Sequence, residues 1–457
     1  MSINTNLRVD RMRLQNFRCF AECTIELHPD LTVLVAENGK GKTAILDAIG
    51  IALGLFVDVL AGSRHSRGFV RSDVRLVNGE GGSMTPALPT QFDADGYVAG
   101  TAIHWSRAIK RYGKQTRATT KDAREFSQAG HSLRSLVDVP STSTDQMPLI
   151  LPFVGFYGTS RLWNEGRAIE EKRTYIMASE RWLAGYSNCL SPSASFEGVI
   201  GWFENLATET GDPRFSTELA KNLRLQAAVQ EATRKMLQPT GWYDLDWDFE
   251  RKSLVAKHRD HGRLPLSALS DGVRNTIALV ADIARRCASL NPHFGEAAAR
   301  LTPGVLLIDE VDMHLHPRWQ QQVVQLLREA FPLLQMILTT HSPHVLSTVE
   351  KDSIRVIGLR DGQGLIDTPT LQTRGVESAD VLASIMGVDP VPQIEEARWL
   401  SDYRALIEDG KAETGEAGEL RSKLISHFGE SHPLILDCER LIRFQSFKLK
   451  RNRPEES

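Results

Sequence analysis

The sequence predicts an α/β fold built on a mostly parallel sheet. Two stretches carry that expectation. From position 304 the chain reads as an apolar strand (GVLLID), a helix over 317–330, a second strand (QMILTT), a further helix and a third strand (SIRVIGL). Strands that alternate with helices in this way form crossover units, which set the strands parallel. Near the N-terminus, an apolar strand over 31–36 (LTVLVA) leads through a glycine-rich turn into a helix from Lys42 to about Leu60. Ahead of it, residues 7–15 (LRVDRMRLQ) alternate apolar and polar side chains, the mark of a half-buried strand. With a strand over 22–27 they predict an N-terminal antiparallel β subdomain.

The remaining elements follow in order. Residues 61–96 are rich in Gly, Ser and Pro and read as irregular. Residues 97–111 read as a strand with a basic end, and 148–156 as a buried strand. Helical spacing over 168–237, as in Leu219, Leu223, Leu225 and Val229, predicts a helical insertion at about 165–240. Two short β stretches surround Trp242–His258. Residues 390–449 read as helical, with Trp399, Leu400, Tyr403 and Leu406 at core spacing. The expected division is a main domain over 1–360 and a mostly helical C-terminal region over 361–457. No repeat and no long heptad array occurs.

Composition narrows the class. Hydrophobic residues make up 41% and charged residues 24%, ordinary for a globular protein. No apolar run suggests a bilayer span, so no membrane partner is expected. The N-terminus has no signal-peptide pattern. Cys19, Cys23, Cys189, Cys287 and Cys438 are scattered, which predicts a reduced, cytoplasmic protein without a cysteine zinc site. The net charge of −3 does not mark the chain as a nucleic-acid binder. Locally, Arg107, Lys110, Arg111, Lys114, Arg117, Lys121 and Arg124 face only Asp122, and Lys448, Lys450, Arg451 and Arg453 end the chain. Each run is either a solvated face or a nucleic-acid contact.

Four motifs carry chemistry. Ala36-Glu37-Asn38-Gly39-Lys40-Gly41-Lys42-Thr43 lies between strand and helix, the setting of a phosphate-binding P-loop. Its glycines let backbone N–H groups turn toward phosphates, Lys42 would pair with the β/γ-phosphates, and Thr43 would hold Mg²⁺. Asn38, Gly39, Lys40, Gly41, Lys42, Thr43 and Ala44 are the candidate ATP-binding residues. Ala36 stands where the pattern has glycine. The second motif is the apolar strand ending in Asp309-Glu310. Asp309 would hold Mg²⁺ and Glu310 would act as general base. The third is Leu269-Ser270-Asp271-Gly272-Val273-Arg274-Asn275, opening an apolar-faced helix; a serine there is also a plain helix cap. The fourth is Thr339-Thr340-His341-Ser342-Pro343 after an apolar strand.

In this order the motifs resemble the ABC ATPase superfamily over residues 7–360. Ser270, Asp271 and Gly272 match its signature, with Asp271 replacing a glycine; His341 matches the switch histidine and Asp312 the D-loop aspartate. Asn16-Phe17-Arg18-Cys19-Phe20 and the Asp309, Glu310, Leu315, His316, Pro317 pattern resemble the RecF/SMC/OLD branch, where the Arg18 position lies near the nucleotide. SMC arms need a coiled coil between Thr43 and Ser270. OLD nucleases need a D-x-D pair, and none follows residue 350. Ser72-Asp73-Val74-Arg75, Phe156–Trp163, the signature segment and GVDPVPQIEEARWLSDYRALIEDG are similar to the ATPase subunit of Septu-type anti-phage systems, also found beside retrons. That resemblance implies ATP and Mg²⁺ as cofactors and Asp73 as a third metal residue at the Q-loop position. It also implies a head-to-tail dimer or a larger assembly of such dimers, with Ser270 facing Lys42 of the other chain, and a separate HNH nuclease docked partly on the C-terminal region. Tyr157 and Arg161 are candidates for nucleotide or partner contact, with core packing as the plainer role for Tyr157. A RecF-like repair ATPase that binds DNA itself is the alternative.

Overall fold

The computed structural model describes residues 7–61, 68–79, 82–113, 119, 121–137, 149–160, 178–191, 197–211 and 216–451. The chain divides into two compact units, Met1–Val381 and Leu382–Ser457.

The first unit is organised by one ten-stranded sheet. In chain order its elements begin with β1 (Leu7–Phe17), β2 (Phe20–Glu26), β3 (Leu31–Val35) and helix α1 (Lys42–Ala61). A small pair, β4 (Leu76–Asn78) and β5 (Met84–Pro86), precedes β6 (Thr90–Val98), β7 (Thr101–Ile109), α2 (Arg124–Val137) and β8 (Phe153–Tyr157). Then come α3 (Glu197–Gly211), α4 (Ser216–Leu237) and a separate three-stranded sheet of β9 (Trp242–Asp248), β10 (Ser253–His258) and β11 (Gly262–Pro265). The unit closes with α5 (Asp271–Leu290), α6 (Ala298–Leu301), β12 (Gly304–Ile308), α7 (Pro317–Ala330), β13 (Leu334–Thr339), α8 (Pro343–Leu346), β14 (Ile354–Arg360) and β15 (Gln363–Asp367).

The strand order is β7-β6-β1-β2-β15-β14-β3-β13-β12-β8. From β14 to β8 every neighbour is parallel, and β3, β8, β12 and β13 are buried along their length. That is the uniform apolar character of a sheet covered on both faces. The antiparallel N-terminal strands extend this sheet. β15 joins them to it, pairing antiparallel with β14 and parallel with β2. Because β15 lies beyond residue 360, the first unit runs on to Val381 and not to the expected boundary at 360.

Helix α1 corrects one expectation. It is long and apolar enough to cross a bilayer, although no such run was anticipated. Its setting explains the composition: it packs on β1, β6, β8, β12 and β13 with α2 beside it, and nearly every residue is buried. Phe156 and Leu307 meet α1 at Gly50. Neighbouring residues of a strand face opposite sides, so Tyr157 points to the other face, where its hydroxyl reaches α5.

Two further stretches differ from the reading. The segment 61–96 is not irregular throughout, because β6 starts at Thr90 and alternates buried with less buried side chains. Its Gly- and Pro-rich approach hides that period. The strand expected over 97–111 begins at Thr101, after a tight turn in which Ala99 and Gly100 both take positive φ. Around Trp242–His258 there are three strands where two were expected. The helical insertion is present as α3 and α4, and its 165–177 portion lies outside the described residues.

The second unit holds α10 (Glu395–Glu408), α11 (Gly415–Phe428) and α12 (Pro433–Arg451), after α9 (Ser378–Ser384) spans the division. Tyr403, Ile407, Ala417, Leu424, Ile435 and Cys438 form its core, with Trp399, Leu400 and Leu406 packed against them.

Gly304 starts β12 at φ +149°, and a Cβ there would stand 1.9 Å from the Phe153 carbonyl oxygen. Gly304→Ala is expected to lower stability by about 3 kcal/mol in chemical denaturation, as strain and overpacking combine. At Gly358 the same change meets only ordinary contacts, the nearest at 3.5 Å, and is the near-neutral control.

Candidate functional site

The parallel strands β3, β13 and β12 lie side by side, and each ends in one of the sequence motifs. The crevice at the carboxyl ends of such strands is where ligands bind in open α/β sheets.

After β3 the chain turns through Gly39 (φ +79°) and Gly41 (φ +99°) into α1. Nothing lies within 4 Å of a Cβ built on Gly39, so the loop is open on that side. Gly41 is crowded instead: a Cβ there would stand 2.3 Å from the Phe20 ring and 2.8 Å from Cys19 Sγ. The turn between β1 and β2 therefore braces the loop. Ala36 is absent from the positive-φ residues, which is why alanine serves at that position. Lys42 Nζ donates to the carbonyl oxygens of Ala36 (2.8 Å) and Glu37 (3.3 Å), curling the loop around its own side chain. Burial lowers the Lys42 pKa, against the pull of Asp309, Glu310 and Asp312, which hold the ammonium charged. Asn38 is exposed, Lys40 pairs with Glu37 at 3.6 Å and Ala44 is buried in α1.

Asp309 follows β12 and is buried. Its Oδ2 accepts from Thr43 Oγ1 (2.8 Å), its Oδ1 from Thr339 Oγ1 (2.6 Å), and its backbone N–H donates to the Tyr157 carbonyl (2.8 Å). The Thr339 hydroxyl also accepts from the Glu310 N–H (2.7 Å). Glu310 adopts φ 50° and is half-buried. Thr340 Oγ1 donates to Asp312 Oδ1 (2.5 Å), and half-buried His341 follows directly. A threonine hydroxyl beside a carboxylate is a hard-oxygen pair, the donor chemistry Mg²⁺ prefers, so Thr43 and Asp309 fit the ion.

Ser270 caps α5 by position, but its side chain makes no capping hydrogen bond, and it is exposed with Asp271. Asp271 pairs with Arg274 at 2.6 Å. A Cβ on Gly272 would stand 2.3 Å from the His314 carbonyl oxygen, so glycine lets the start of α5 touch the loop after Glu310.

Arg18 and Asp73 are found together. Arg18 takes φ 50°, its Nη1 lies 2.5 Å from Asp47 Oδ2, and its Nε and Nη2 reach Asp73 Oδ1 at 3.0 and 2.9 Å. Asp73 is fully buried and also accepts from the Val70 N–H (2.9 Å). In this conformation both residues clamp the 70–74 segment to α1. Tyr157 donates to Asp282 Oδ2 (2.8 Å), and Arg161 lies outside the described residues. So do Lys114 and Arg117 of the basic run.

Sequence reasoning missed the hydroxyl roles of Thr339 and Thr340, and it missed Asp47. A signal for Asp47 was present: a carboxylate flanked by apolar residues in a helix needs a partner when buried.

Loop, helix start and paired carboxylates together define a P-loop ATPase. Residues 104–347, more than half of the chain, match the family described as "AAA domain, putative AbiEii toxin, Type IV TA system", and residues 8–59, which hold the P-loop, match the "AAA ATPase domain" family. The chain belongs to the first of these families, whose model covers more than half of it. It is 22% identical to the "Retron Vc95 probable ATPase" of Vibrio cholerae, covering 93% of this chain and 88% of that one. It is 25% identical to the "Retron Ec83 probable ATPase" of Escherichia coli, covering 95% and 86%. The "Septu protein PtuA" of Bacillus thuringiensis is 27% identical over 28% of this chain and 34% of its own.

Two outcomes test the geometry. Thr339→Val removes the hydroxyl shared by Asp309 and Glu310, and kcat for ATP is expected to fall roughly tenfold or more. Burial pushes the thiols of Cys23 and Cys189 up to about 12, and raises those of Cys287, Cys438 and Cys19. Cys19 alone of the five is not buried. A maleimide near neutral pH should mark Cys19 first, and ATP should slow that reaction; peptide mass spectrometry reads both.

Proposed function

We propose that the chain is the ATPase subunit of an anti-phage defence system, closing as a head-to-tail dimer around two ATP molecules and controlling a separate HNH nuclease. The observation that carries the ATP site is the meeting of Lys42 and Thr43, which follow β3, with Asp309 and Glu310, which follow β12, Thr43 being hydrogen-bonded to Asp309. Support for the dimer is the unoccupied capping hydroxyl of Ser270 on an exposed helix start. The retron and Septu relatives support the defence role.

In this reading the P-loop amides and Lys42 hold the phosphates, while Thr43 and Asp309 hold Mg²⁺. The ion, when bound, neutralises phosphate charge. Glu310 takes the proton of the attacking water. Thr339 fixes the backbone at Glu310, and His341 contacts the γ-phosphate. Asp73 and Arg18 sense the nucleotide through the clamp on α1. Ser270, Asp271 and Gly272 of the second protomer complete the site, and Asp312 lies at the seam. The helical C-terminal unit carries part of the nuclease contact.

Glu310→Gln should bind ATP without turnover and run as a dimer in size exclusion with ATP; adding Lys42→Ala should return it to the ATP-free state. The HNH nuclease partner, mixed with this protein and DNA, should respond to ATP. Cutting indifferent both to ATP and to Lys42→Ala would remove the gating role. Salt-sensitive DNA binding by the isolated chain would favour the RecF-like alternative.

A further inference from the structure

The signature helix and the strand end bearing Asp309 are joined by a buried polar ring that the catalytic scheme does not use. Tyr157 ends β8, in register with Ile308. Its carbonyl accepts from the Asp309 N–H at 2.8 Å, and its hydroxyl donates to Asp282 at 2.8 Å. Asp282 lies on α5, roughly three turns beyond Asp271. It also accepts from Arg285 (Nη2, 2.6 Å; Nε, 3.1 Å) and from Arg286 Nε (2.6 Å). Arg286 Nη1 donates to the carbonyls of Gly185 (3.0 Å) and Ser187 (2.8 Å). Two residues on, the Cys189 carbonyl accepts from the Phe156 N–H at 2.7 Å, returning the ring to β8.

Packing alone does not call for this arrangement. Tyr157, Asp282, Arg285 and Arg286 are all buried, and removing such charges from water is costly. The surrounding faces of α5 are already apolar, with Ile277, Val280, Ile283 and Ala284 buried. Apolar side chains in place of all four would suit them. Apolar contact is non-directional, whereas a hydrogen bond fixes an angle. The ring therefore fixes the orientation of α5.

We infer that Tyr157 and Asp282 are positioning residues, which hold α5, and with it Ser270, in register with the strand end that carries Asp309 and Glu310. Neither touches nucleotide. Tyr157 acts through the Asp309 backbone on one side and through Asp282 on the other. Their effect falls on the step that needs signature and catalytic strand together, not on the first binding of ATP to the P-loop. The inference rests on the dimer reading, because Ser270 acts on the other protomer's nucleotide.

Tyr157→Phe keeps the ring volume and removes one hydroxyl. Its melting temperature should move by a few degrees at most, and its affinity for a fluorescent ATP analogue should stay within about twofold, while kcat falls roughly ten- to hundredfold at unchanged KM. In the Glu310→Gln background it should shift ATP-driven dimerisation to roughly tenfold higher protein concentration. Asp282→Asn should act in the same direction, and the double variant should be no slower than Asp282→Asn alone, because both act through one ring. Should Asp282→Asn fail to fold, Tyr157→Phe alone decides. Unchanged kcat, or a kcat that falls only in step with analogue affinity, overturns the inference. A Glu310→Gln dimer that Tyr157→Phe leaves unmoved overturns it too, and leaves the dimer reading standing. If Glu310→Gln forms no dimer with ATP, the dimer reading fails and the link to Ser270 fails with it.

Discussion

A buried carboxylate must have partners, and Asp309 is held from three directions at once. Its carboxylate accepts from Thr43 at the start of α1 and from Thr339 at the end of β13, and its backbone N–H donates to the Tyr157 carbonyl of β8. These partners meet only if β3, β13, β12 and β8 are parallel and correctly registered, so that their carboxyl ends align. A one-residue slip would turn every side chain of a strand to the other face. The site and the sheet are thus one constraint: the packing that buries β12 sets its terminal carboxylate against α1, and the hydroxyls make that burial tolerable.

Much of this was legible in the sequence because the relevant signals are local. An apolar strand, glycines and a lysine at a helix start sit next to one another in the chain, as do Asp309 and Glu310. The parallel core followed from strand–helix alternation. What was not legible depends on residues far apart in sequence. Nothing near Arg18 announces that its guanidinium meets Asp47 and Asp73. The role of β15 as a seam between two halves of the sheet needs pairings with both β2 and β14. β6 was missed for another reason: its alternation follows a stretch whose Gly- and Pro-rich composition suggests a loop.

The charged groups buried away from the phosphate loop follow the same rule as Asp309. Burial by itself would raise the Asp282 pKa, but Arg286 and Arg285 hold it well below the usual carboxylate range. Burial, with the Asp282 charge behind it, keeps the Tyr157 hydroxyl protonated and available as a donor. Each group is in the ionisation state its hydrogen bonds require, so the first unit carries a polar skeleton inside its apolar core.

The crowding at Gly41 bears on how such loops are interpreted. Its lack of a side chain satisfies Phe20 and Cys19 as well as any phosphate. A glycine in this place is therefore determined twice, by the architecture that supports the loop and by the ligand the loop would cradle. An inactive descendant of this protein would have reason to keep it. Lys42 is different, since among the described residues its ammonium donates to carbonyls of its own loop. Of the two, the lysine is the more informative marker of retained chemistry, and the glycine records the fold.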